Sequence, residues 1–210
     1  MSEVFELGSS GEDPPAEAVE AAAGALREGK LAVLPTDTVY GIAARPDRMK
    51  ATARLFAAKR RTRELTLPIL VSGQEDAARV GLFDDRARAL AQRFWPGGLT
   101  IVLPRTELAG RWDLGDESGT AGVRMPDHPV ALALLRTTGP LAVTSANLSG
   151  EPTPSHCPGV RAIFGQEVAV YLCAGPLGGL ASTVVDLSGA EARILREGAI
   201  PAAEVRATLE

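Results

Sequence analysis

The sequence predicts a single α/β domain, and two observations carry that prediction. Short apolar runs such as Leu31–Leu34, halted by Pro35, have the length and composition of buried strands. Between these runs lie segments whose apolar residues recur at helical spacing, so strands and helices alternate through most of the chain. No repeat and no linker long enough to divide the chain is visible. The pattern leaves the strand directions open.

The elements follow from apolar spacing and from the residues that end them. The polar stretch 1–13 is predicted to be a flexible lead-in to a domain that spans 14–210. Helices are expected where apolar residues share one face, at 14–27, 47–61, 84–94, 129–136 and from 201 onward. Strands are expected at the apolar runs 31–34, 68–71, 99–103, 121–124, 141–144, 168–172 and 183–187. A loop is expected over 104–119.

Composition places the chain among ordinary globular proteins. Of its 210 residues 45% are apolar and 23% are charged, and a chain of this length buries roughly 70% of its unfolded surface. The net charge of −4 argues against a polycation that seeks nucleic acid. No membrane-spanning run and no signal peptide is visible. Cys157 and Cys173 lack metal-site spacing and do not suggest a disulfide framework, so we expect a cytoplasmic protein with no membrane partner.

The first candidate for chemistry is the turn 35–41, directly after the strand at 31–34. Its hydroxyl groups, on Thr36 and Thr38, are placed where α/β sheets hold ligands, at the end of a strand. An ordinary hydroxyl-capped turn explains the same residues equally well.

The second candidate is the basic stretch 59–63, which places Lys59, Arg60, Arg61 and Arg63 together at a predicted helix end. Such a cluster can pair with several phosphate oxygens, Arg through two parallel hydrogen bonds and Lys as a point charge. Cations at a helix C-terminus also favour the helix macrodipole and are often simply solvated, which is the commoner explanation for the stretch alone. Mutual repulsion among the four cations nevertheless favours an anionic partner.

The third candidate is the run 144–150, where an apolar strand leads into small and hydrogen-bonding residues. Hydroxyls, the Asn147 amide and free backbone N–H groups could form a concave anion site, although an ordinary Ser/Asn turn is the commoner explanation. P-loop and Rossmann glycine spacings are missing, and no nucleophile elbow supports a hydrolase.

Arg124 at a strand end could hold a carboxylate. His128 and His156 are isolated, with no Cys, Asp or Glu at metal-ligand spacing, and are expected to be surface or capping residues.

Seven segments, in this order, resemble the YrdC/YciO-like family over about residues 29–198. They are Pro-Thr-Asp-Thr-Val-Tyr-Gly at 35–41, Lys-x-Arg at 59–61, Trp-Pro-Gly-Gly-Leu-Thr at 95–100, Val-Arg-Met-Pro-Asp-His-Pro at 123–129, Thr-Ser-Ala-Asn-Leu-Ser-Gly at 144–150, Ser-Thr-Val-Val-Asp at 182–186 and Ile-Leu-Arg-Glu-Gly at 194–198. Each segment alone is a weak signal, whereas all seven in family order are highly specific.

The resemblance implies a single-domain twisted open sheet of mixed strand direction, with flanking helices and a basic groove over one face. The closest family activity is L-threonylcarbamoyladenylate synthesis. It condenses L-threonine, bicarbonate and ATP to threonylcarbamoyl-AMP and pyrophosphate for tRNA modification, usually with Mg²⁺ carried by the ATP phosphates. The resemblance also implies downstream proteins that transfer the threonylcarbamoyl group, and it leaves direct tRNA or RNA contact through the groove open.

Carried over position by position, the resemblance assigns roles to eleven residues. Lys59, Arg61, Ser145 and Asn147 are expected to face the nucleotide phosphates and to support catalysis. Further contacts with ATP or the adenylate are expected at Thr120, the Val143 backbone, Thr153 and Arg196. Contacts with L-threonine are expected at Thr36, Arg124 and Ser182, with Arg124 suited to the carboxylate. No protein ligand for a metal is implied.

The chain departs from the family pattern at three places. Ser72 stands where many members have a histidine that contacts threonine, the segment 63–68 is about two residues longer than in many relatives, and Ala181 replaces a common glutamate. Two alternatives to the synthase therefore stay open: a related carbamoyl-adenylate enzyme for another amine, and a non-catalytic RNA-binding or ribosome-associated protein. The presence of Thr36 and Arg124 favours catalysis, because RNA binding alone requires no threonine contacts.

Overall fold

The computed structural model describes residues 2–8 and 13–210. Over these residues ten strands form one sheet: β1 (Glu3–Leu7), β2 (Leu31–Leu34), β3 (Gly41–Ala44), β4 (Ile69–Leu70), β5 (Leu99–Pro104), β6 (Thr120–Arg124), β7 (Leu141–Ser145), β8 (Val168–Ala174), β9 (Thr183–Asp186) and β10 (Arg193–Arg196). The α-helices are α1 (Ala16–Arg27), α2 (Met49–Ala58), α3 (Gln74–Val80), α4 (Asp85–Phe94), α5 (Glu107–Gly110), α6 (Pro129–Thr138), α7 (Cys157–Phe164) and α8 (Ala202–Leu209).

The sheet is mixed in direction, as the family resemblance predicted. Its strand order is β1-β8-β2-β3-β7-β4-β6-β5-β9-β10. The β1/β8, β2/β8, β4/β6 and β5/β9 pairs are parallel, and the remaining neighbours are antiparallel. The predicted α/β domain with a mixed-direction sheet is therefore confirmed.

Both faces of the central strands are covered by helices, which explains their uninterrupted apolar sequences. In β2, Leu31 and Val33 belong to the core that includes α2, α3 and α7, whereas Ala32 and Leu34 pack with α1 and α6. Successive side chains of a strand point to opposite faces, so a strand buried on both faces needs apolar residues throughout. A third core joins α4 and α8 to β5 and β9.

Several short elements were not predicted from the sequence, and some of them carry little apolar periodicity. β3 has the sequence Gly-Ile-Ala-Ala, and β10 is mostly exposed. The expected loop at 104–119 contains the short helix α5, and α3 and α7 were not predicted either. The predicted helix over 47–61 ends earlier, at Ala58, with Lys59 as its C-cap.

The expected flexible lead-in is wrong for residues 3–7. These residues form β1, which pairs in parallel with β8 from Glu3 opposite Val170 to Leu7 opposite Ala174. Half-buried Phe5 and Leu7 pack against the core that contains α1. Residue 1 and residues 9–12 lie outside the described residues, so the prediction stays untested there.

The cysteines also differ from expectation, since Cys157 and Cys173 form a disulfide. The bond joins the first residue of α7 to β8, and both residues are buried in the core. Sixteen positions separate them in the chain, so the sequence spacing offered no signal for the pair. Among the helices of the described residues, none has the length and apolar character needed to cross a bilayer.

Candidate functional site

A cleft of about 800 Å³ brings together segments that are far apart in the sequence. Ten of the eleven predicted site residues line it: Thr36, Arg61, Thr120, Arg124, Val143, Ser145, Asn147, Thr153, Ser182 and Arg196. The exception is Lys59, which lies beneath the lining. The fold thus brings the three candidate segments together around one cavity. The roles that the resemblance implies for the individual residues stay predictions.

Lys59 is 1% exposed and acts as a clamp between α2 and the end of β7. Its ammonium donates hydrogen bonds to the carbonyl oxygens of Ser145, at 2.5 Å, and Asn147, at 2.6 Å. Its own carbonyl accepts from the backbone N–H of Ser149 at 3.0 Å. Burial, and secondarily the nearby Arg61 charge, lower the pKa of Lys59 to about 8. The sequence alone favoured a solvated Lys59 at the end of a helix, whereas the structure buries its side chain.

Arg61 lines the cleft, and its guanidinium contacts only neutral groups among the described residues. It donates to the carbonyl oxygens of Leu65 and Thr66, each at 3.1 Å. No carboxylate of the described residues lies within ion-pair distance of Lys59 or Arg61. The neighbouring Arg63, by contrast, pairs with a carboxylate, that of Asp113. Lys59 and Arg61, which we call the α2 side of the cleft, therefore carry positive charge that is in no ion pair among the described residues.

The turn after β7 is organised by Asn147. Its side-chain amide donates to the carbonyls of Leu148 and Glu151, at 2.6 and 2.7 Å, and its Oδ1 accepts from the Thr153 hydroxyl at 3.0 Å. These bonds hold Thr153 at the cleft, and they occupy the amide that was expected to face the phosphates. Ser145 is half-buried at the strand end and lines the cleft directly.

Arg124, at the end of β6, is 6% exposed and is held by three hydrogen bonds. It donates to the Asp37 carboxylate at 2.5 Å, to the Thr38 hydroxyl at 2.9 Å and to the Gly97 carbonyl at 2.9 Å. A guanidinium has five N–H donors, so two remain for a ligand. We call this ion pair, Arg124 with Asp37, the β6 side of the cleft.

The Thr36 hydroxyl is used within its own turn. It donates to the Val39 carbonyl at 2.6 Å and accepts from the backbone N–H groups of Thr38 and Val39, both at 3.2 Å. Both interpretations of this segment therefore have support, because it is a hydroxyl-capped turn and it also lines the cleft.

Ser182 and Arg196 form a third group of contacts. Arg196 donates to the Ser182 carbonyl from Nε, at 3.0 Å, and from Nη2, at 2.8 Å, and Nη2 also reaches the Ser182 hydroxyl at 3.2 Å. The Ser182 hydroxyl lies 2.9 Å from that of Thr100. Thr100 and Thr38 also line the cleft; the family resemblance assigned no ligand contact to either residue, although both lie within the recognised motifs.

Some of the groups expected to contact ATP or the adenylate already form hydrogen bonds within the protein. The Thr120 hydroxyl bonds that of Ser118 at 2.8 Å, and the backbone N–H of Val143 donates to the Pro68 carbonyl at 3.0 Å. Ser72, at the position of the family histidine, donates to Asp76 at 2.7 Å and is not among the residues that line the cleft. His128 caps α6 by accepting from the Val130 N–H, which agrees with the capping role expected for it.

A protein-family model described as Sua5/YciO/YrdC, telomere recombination, matches residues 24–198. The chain belongs to this family. A Mycobacterium tuberculosis protein is 44% identical over 202 residues, which cover 95% of this chain and 92% of that protein. The threonylcarbamoyl-AMP synthase of Chromohalobacter salexigens is 39% identical over 84% of this chain and 96% of its own length.

Solved structures of the Sua5/YciO/YrdC family have the same fold. Pyrococcus abyssi Sua5 complexed with L-threonine superposes with a TM-score of 0.92 and 34% identity, over 99% of this chain. The present chain spans 61% of that protein. Escherichia coli YciO superposes with a TM-score of 0.86 and 26% identity, over 94% of this chain and 96% of its own.

Proposed function

We propose that this protein is a threonylcarbamoyl-AMP synthase. The observation that carries the proposal is the division of one cleft into two electrostatically different sides. The α2 side offers Lys59 and Arg61, whose charges no carboxylate of the described residues balances. The β6 side offers Arg124, whose charge is balanced by Asp37. A polyanion such as ATP fits the first, and a zwitterionic amino acid fits the second.

The α2 side suits a triphosphate because its cations are held by backbone carbonyls. Carbonyl oxygens orient Lys59 and Arg61 without cancelling their charge. Hydrogen bonds between cations and phosphate oxygens are shorter and stronger than neutral ones. Ser145 at the rim of the cleft adds a hydroxyl. In this proposal Arg61 and Ser145 contact the phosphates. Lys59 holds the turn after β7 in place, and its positive charge, buried beneath the lining of the cleft, attracts the phosphates without touching them.

The β6 side suits the carboxylate of L-threonine. Arg124 is immobilised by Asp37 and Thr38, and the two N–H groups it has left can fork onto two carboxylate oxygens. Pre-positioning of this kind reduces the rotamer entropy lost on binding. Pyrococcus abyssi Sua5, which has the same fold, has been solved in complex with L-threonine, and this supports the same ligand here.

The proposed reaction needs positioning more than a nucleophilic side chain. The threonine amine and bicarbonate condense to a carbamate with loss of water. A carbamate oxygen then attacks the α-phosphorus of ATP, the bond to the β-phosphate breaks, and pyrophosphate leaves. Lys59, Arg61 and Arg196 would stabilise the negative charge that develops on the phosphates.

Mg²⁺ is proposed as a cofactor that the ATP phosphates carry. Among the described residues no group of three or more His, Cys, Asp or Glu side chains is arranged to hold a metal ion. This fits an ion bound mainly by phosphate oxygens and water, as Mg²⁺ often is. Bound in this way, it would neutralise phosphate charge during the reaction. We further propose downstream proteins that transfer the product to tRNA. A cytoplasmic location stays a prediction, and the Cys157–Cys173 disulfide removes the argument from the cysteines that favoured it.

Pyrophosphate release tests the proposal. Purified protein is incubated with ATP, bicarbonate and Mg²⁺, with L-threonine or another amino acid, and pyrophosphate and the adenylate are measured. We expect both products only when L-threonine is present. Turnover with a different amine alone would support the related carbamoyl-adenylate enzyme. RNA binding with no ATP use would support the non-catalytic alternative, which no feature of the described residues specifically favours.

A further inference from the structure

The segment 95–100, Trp-Pro-Gly-Gly-Leu-Thr, has no part in the function proposed so far, yet it forms hydrogen bonds with two of the three predicted L-threonine ligands, Arg124 and Ser182. The carbonyl of Gly97 accepts from Nε of Arg124 at 2.9 Å. The carbonyl of Gly98 accepts from the backbone N–H of Thr183 at 2.9 Å. One short stretch of backbone thus bonds both Arg124 and Thr183, the first residue of β9, which directly follows Ser182.

Close packing explains why two glycines occupy this stretch. A Cβ atom at Gly97 would lie 2.7 Å from the carbonyl oxygen of Phe94, and one at Gly98 would lie 2.7 Å from the Cβ of Ala199. Neither position has room for a side chain. The segment therefore packs closely against the end of α4 and the chain that follows β10.

Thr100 continues this contact through its side chain. It is 6% exposed, lines the cleft, and places its hydroxyl 2.9 Å from that of Ser182, which is 7% exposed. The Thr100 methyl group faces Gly122 on β6, where a Cβ atom would approach it to 3.0 Å. Packing of the methyl against this glycine fixes the side chain and aims the hydroxyl at Ser182.

The hydrogen-bond inventory shows which hydrogen each direction of the bond between the two hydroxyls leaves over for a ligand. A serine hydroxyl has one donor and two acceptor positions. Ser182 already accepts from Nη2 of Arg196 at 3.2 Å. If Thr100 donates as well, both acceptor positions are filled and the Ser182 hydrogen is free to point into the cleft. In the reverse direction the Ser182 hydrogen is used within the protein, the Thr100 hydrogen is the one left over, and Ser182 offers the substrate no donor.

We infer that Thr100 is a positioning residue for amino-acid binding: its hydroxyl donates to Ser182 and makes Ser182 a donor to the substrate carboxylate, beside the two free N–H groups of Arg124. The inference rests on the proposed function, since the carboxylate is that of L-threonine. It assigns the 95–100 segment the task of setting the distance between Arg124 and Ser182.

The test compares three variants with the wild-type protein. Thr100→Val keeps the shape and removes the hydroxyl, Thr100→Ser keeps the hydroxyl, and Thr52→Val removes the hydroxyl of a fully buried threonine on α2 that bonds the Met49 carbonyl outside the cleft. The dissociation constant for L-threonine is measured by calorimetry, and KM for L-threonine and for ATP by pyrophosphate release. Thermal unfolding checks that each variant is folded.

For Thr100→Val we expect the dissociation constant and KM for L-threonine to rise about tenfold, the effect of one lost hydrogen bond, with KM for ATP and kcat within about twofold of wild type. Thr100→Ser should restore most of the affinity, and Thr52→Val should bind normally. Equal threonine affinity in Thr100→Val and wild type would overturn the inference and leave the synthase proposal standing. A wild-type protein that neither binds L-threonine nor releases pyrophosphate would overturn both.

Discussion

The two sides of the cleft hold their cations in different ways. On the α2 side, Lys59 and Arg61 donate to backbone carbonyls, and neither cation is in an ion pair among the described residues. On the β6 side, Arg124 donates to the carboxylate of Asp37, and the pair is close to neutral. Both arrangements fix the cation, but only the second cancels its charge.

This difference teaches how one protein can bind two ligands of different charge in one cavity. A cation clamped by carbonyls keeps its attraction for a polyanion, whereas a cation paired with a carboxylate contributes mainly hydrogen-bond geometry. Desolvation of an unbalanced buried cation costs free energy, and the lowered pKa of Lys59 reflects that cost. Substitutions and pH changes that alter one side at a time can separate the two roles.

The largest effect is expected from Lys59→Met, which removes the clamp and the charge together. Loss of two charged hydrogen bonds should reduce kcat/KM for ATP more than about 100-fold and lower the free energy of unfolding by roughly 2–4 kcal/mol. Pyrophosphate release and urea denaturation measure these quantities. Arg60→Ala, at the exposed neighbouring position, is the matched control and should change neither. Normal ATP use by Lys59→Met would show that the buried ammonium is dispensable.

A smaller effect is expected from Arg61→Ala, because this side chain is only half-buried and bonds its own loop. Loss of its phosphate contact should raise KM for ATP by about 10- to 100-fold, with unfolding and KM for L-threonine nearly unchanged. Steady-state kinetics with each substrate varied in turn separate the two constants. An increase confined to KM for L-threonine would contradict the phosphate contact proposed for Arg61.

Asp37→Asn breaks the charge balance of the β6 side while preserving the shape of the side chain. Arg124 would then hold its position less firmly, and KM for L-threonine should rise about tenfold while KM for ATP stays within about twofold. Breaking a buried ion pair should also cost up to about 3 kcal/mol of stability. Asp37→Glu, which keeps the charge, is expected to recover part of the affinity. Equal changes in both KM values would contradict the separation of the two sides.

The smallest effect is a pH dependence centred on Lys59. Its pKa in the folded protein is about 8, against an ordinary value of 10.5. As pH rises through about 8, the amine loses its charge, so kcat/KM for ATP should fall severalfold. Between these two pKa values the unfolded chain binds the proton that the folded chain has released, so the contribution of Lys59 to folding stability should rise with pH.

Opposite trends of activity and stability above pH 8 therefore identify Lys59 as the titrating group. The comparison of wild type with Lys59→Met by denaturation at about pH 7, 8 and 9.5 isolates its contribution even if the variant is inactive. A stability difference that stays constant over this range would refute the lowered pKa.

The residues that line the cleft were largely predictable from the sequence, whereas the hydrogen bonds among them were not. Ten of the eleven expected residues line the cleft, because the motifs that carry them could be recognised in order. The contacts of Lys59 with Ser145 and Asn147 join residues 86 and 88 positions apart, and no local pattern records such pairings. The same is true of Arg124 and Asp37, which lie 87 positions apart.

Within the fold, apolar spacing was sufficient wherever a strand or helix buries a face. Leu31–Leu34 and 14–27 were predicted for this reason, since burial on both faces or on one stripe selects apolar residues at fixed intervals. β1, β3 and β10 carry weaker patterns, and they exist because neighbouring strands offer hydrogen-bond partners to their backbones. Backbone pairing leaves almost no mark on side-chain composition.

The sequence alone predicts an α/β domain. It also shows a basic stretch, a Ser/Asn turn and a strand-end arginine in the order typical of the family. Which cations keep their charge, and which are neutralised, depended on tertiary contacts. Carbonyl groups occur at every residue and leave no signature in the sequence, so the burial of Lys59 among them could only emerge from packing. The difference between the two sides of the cleft is therefore a property of the folded chain.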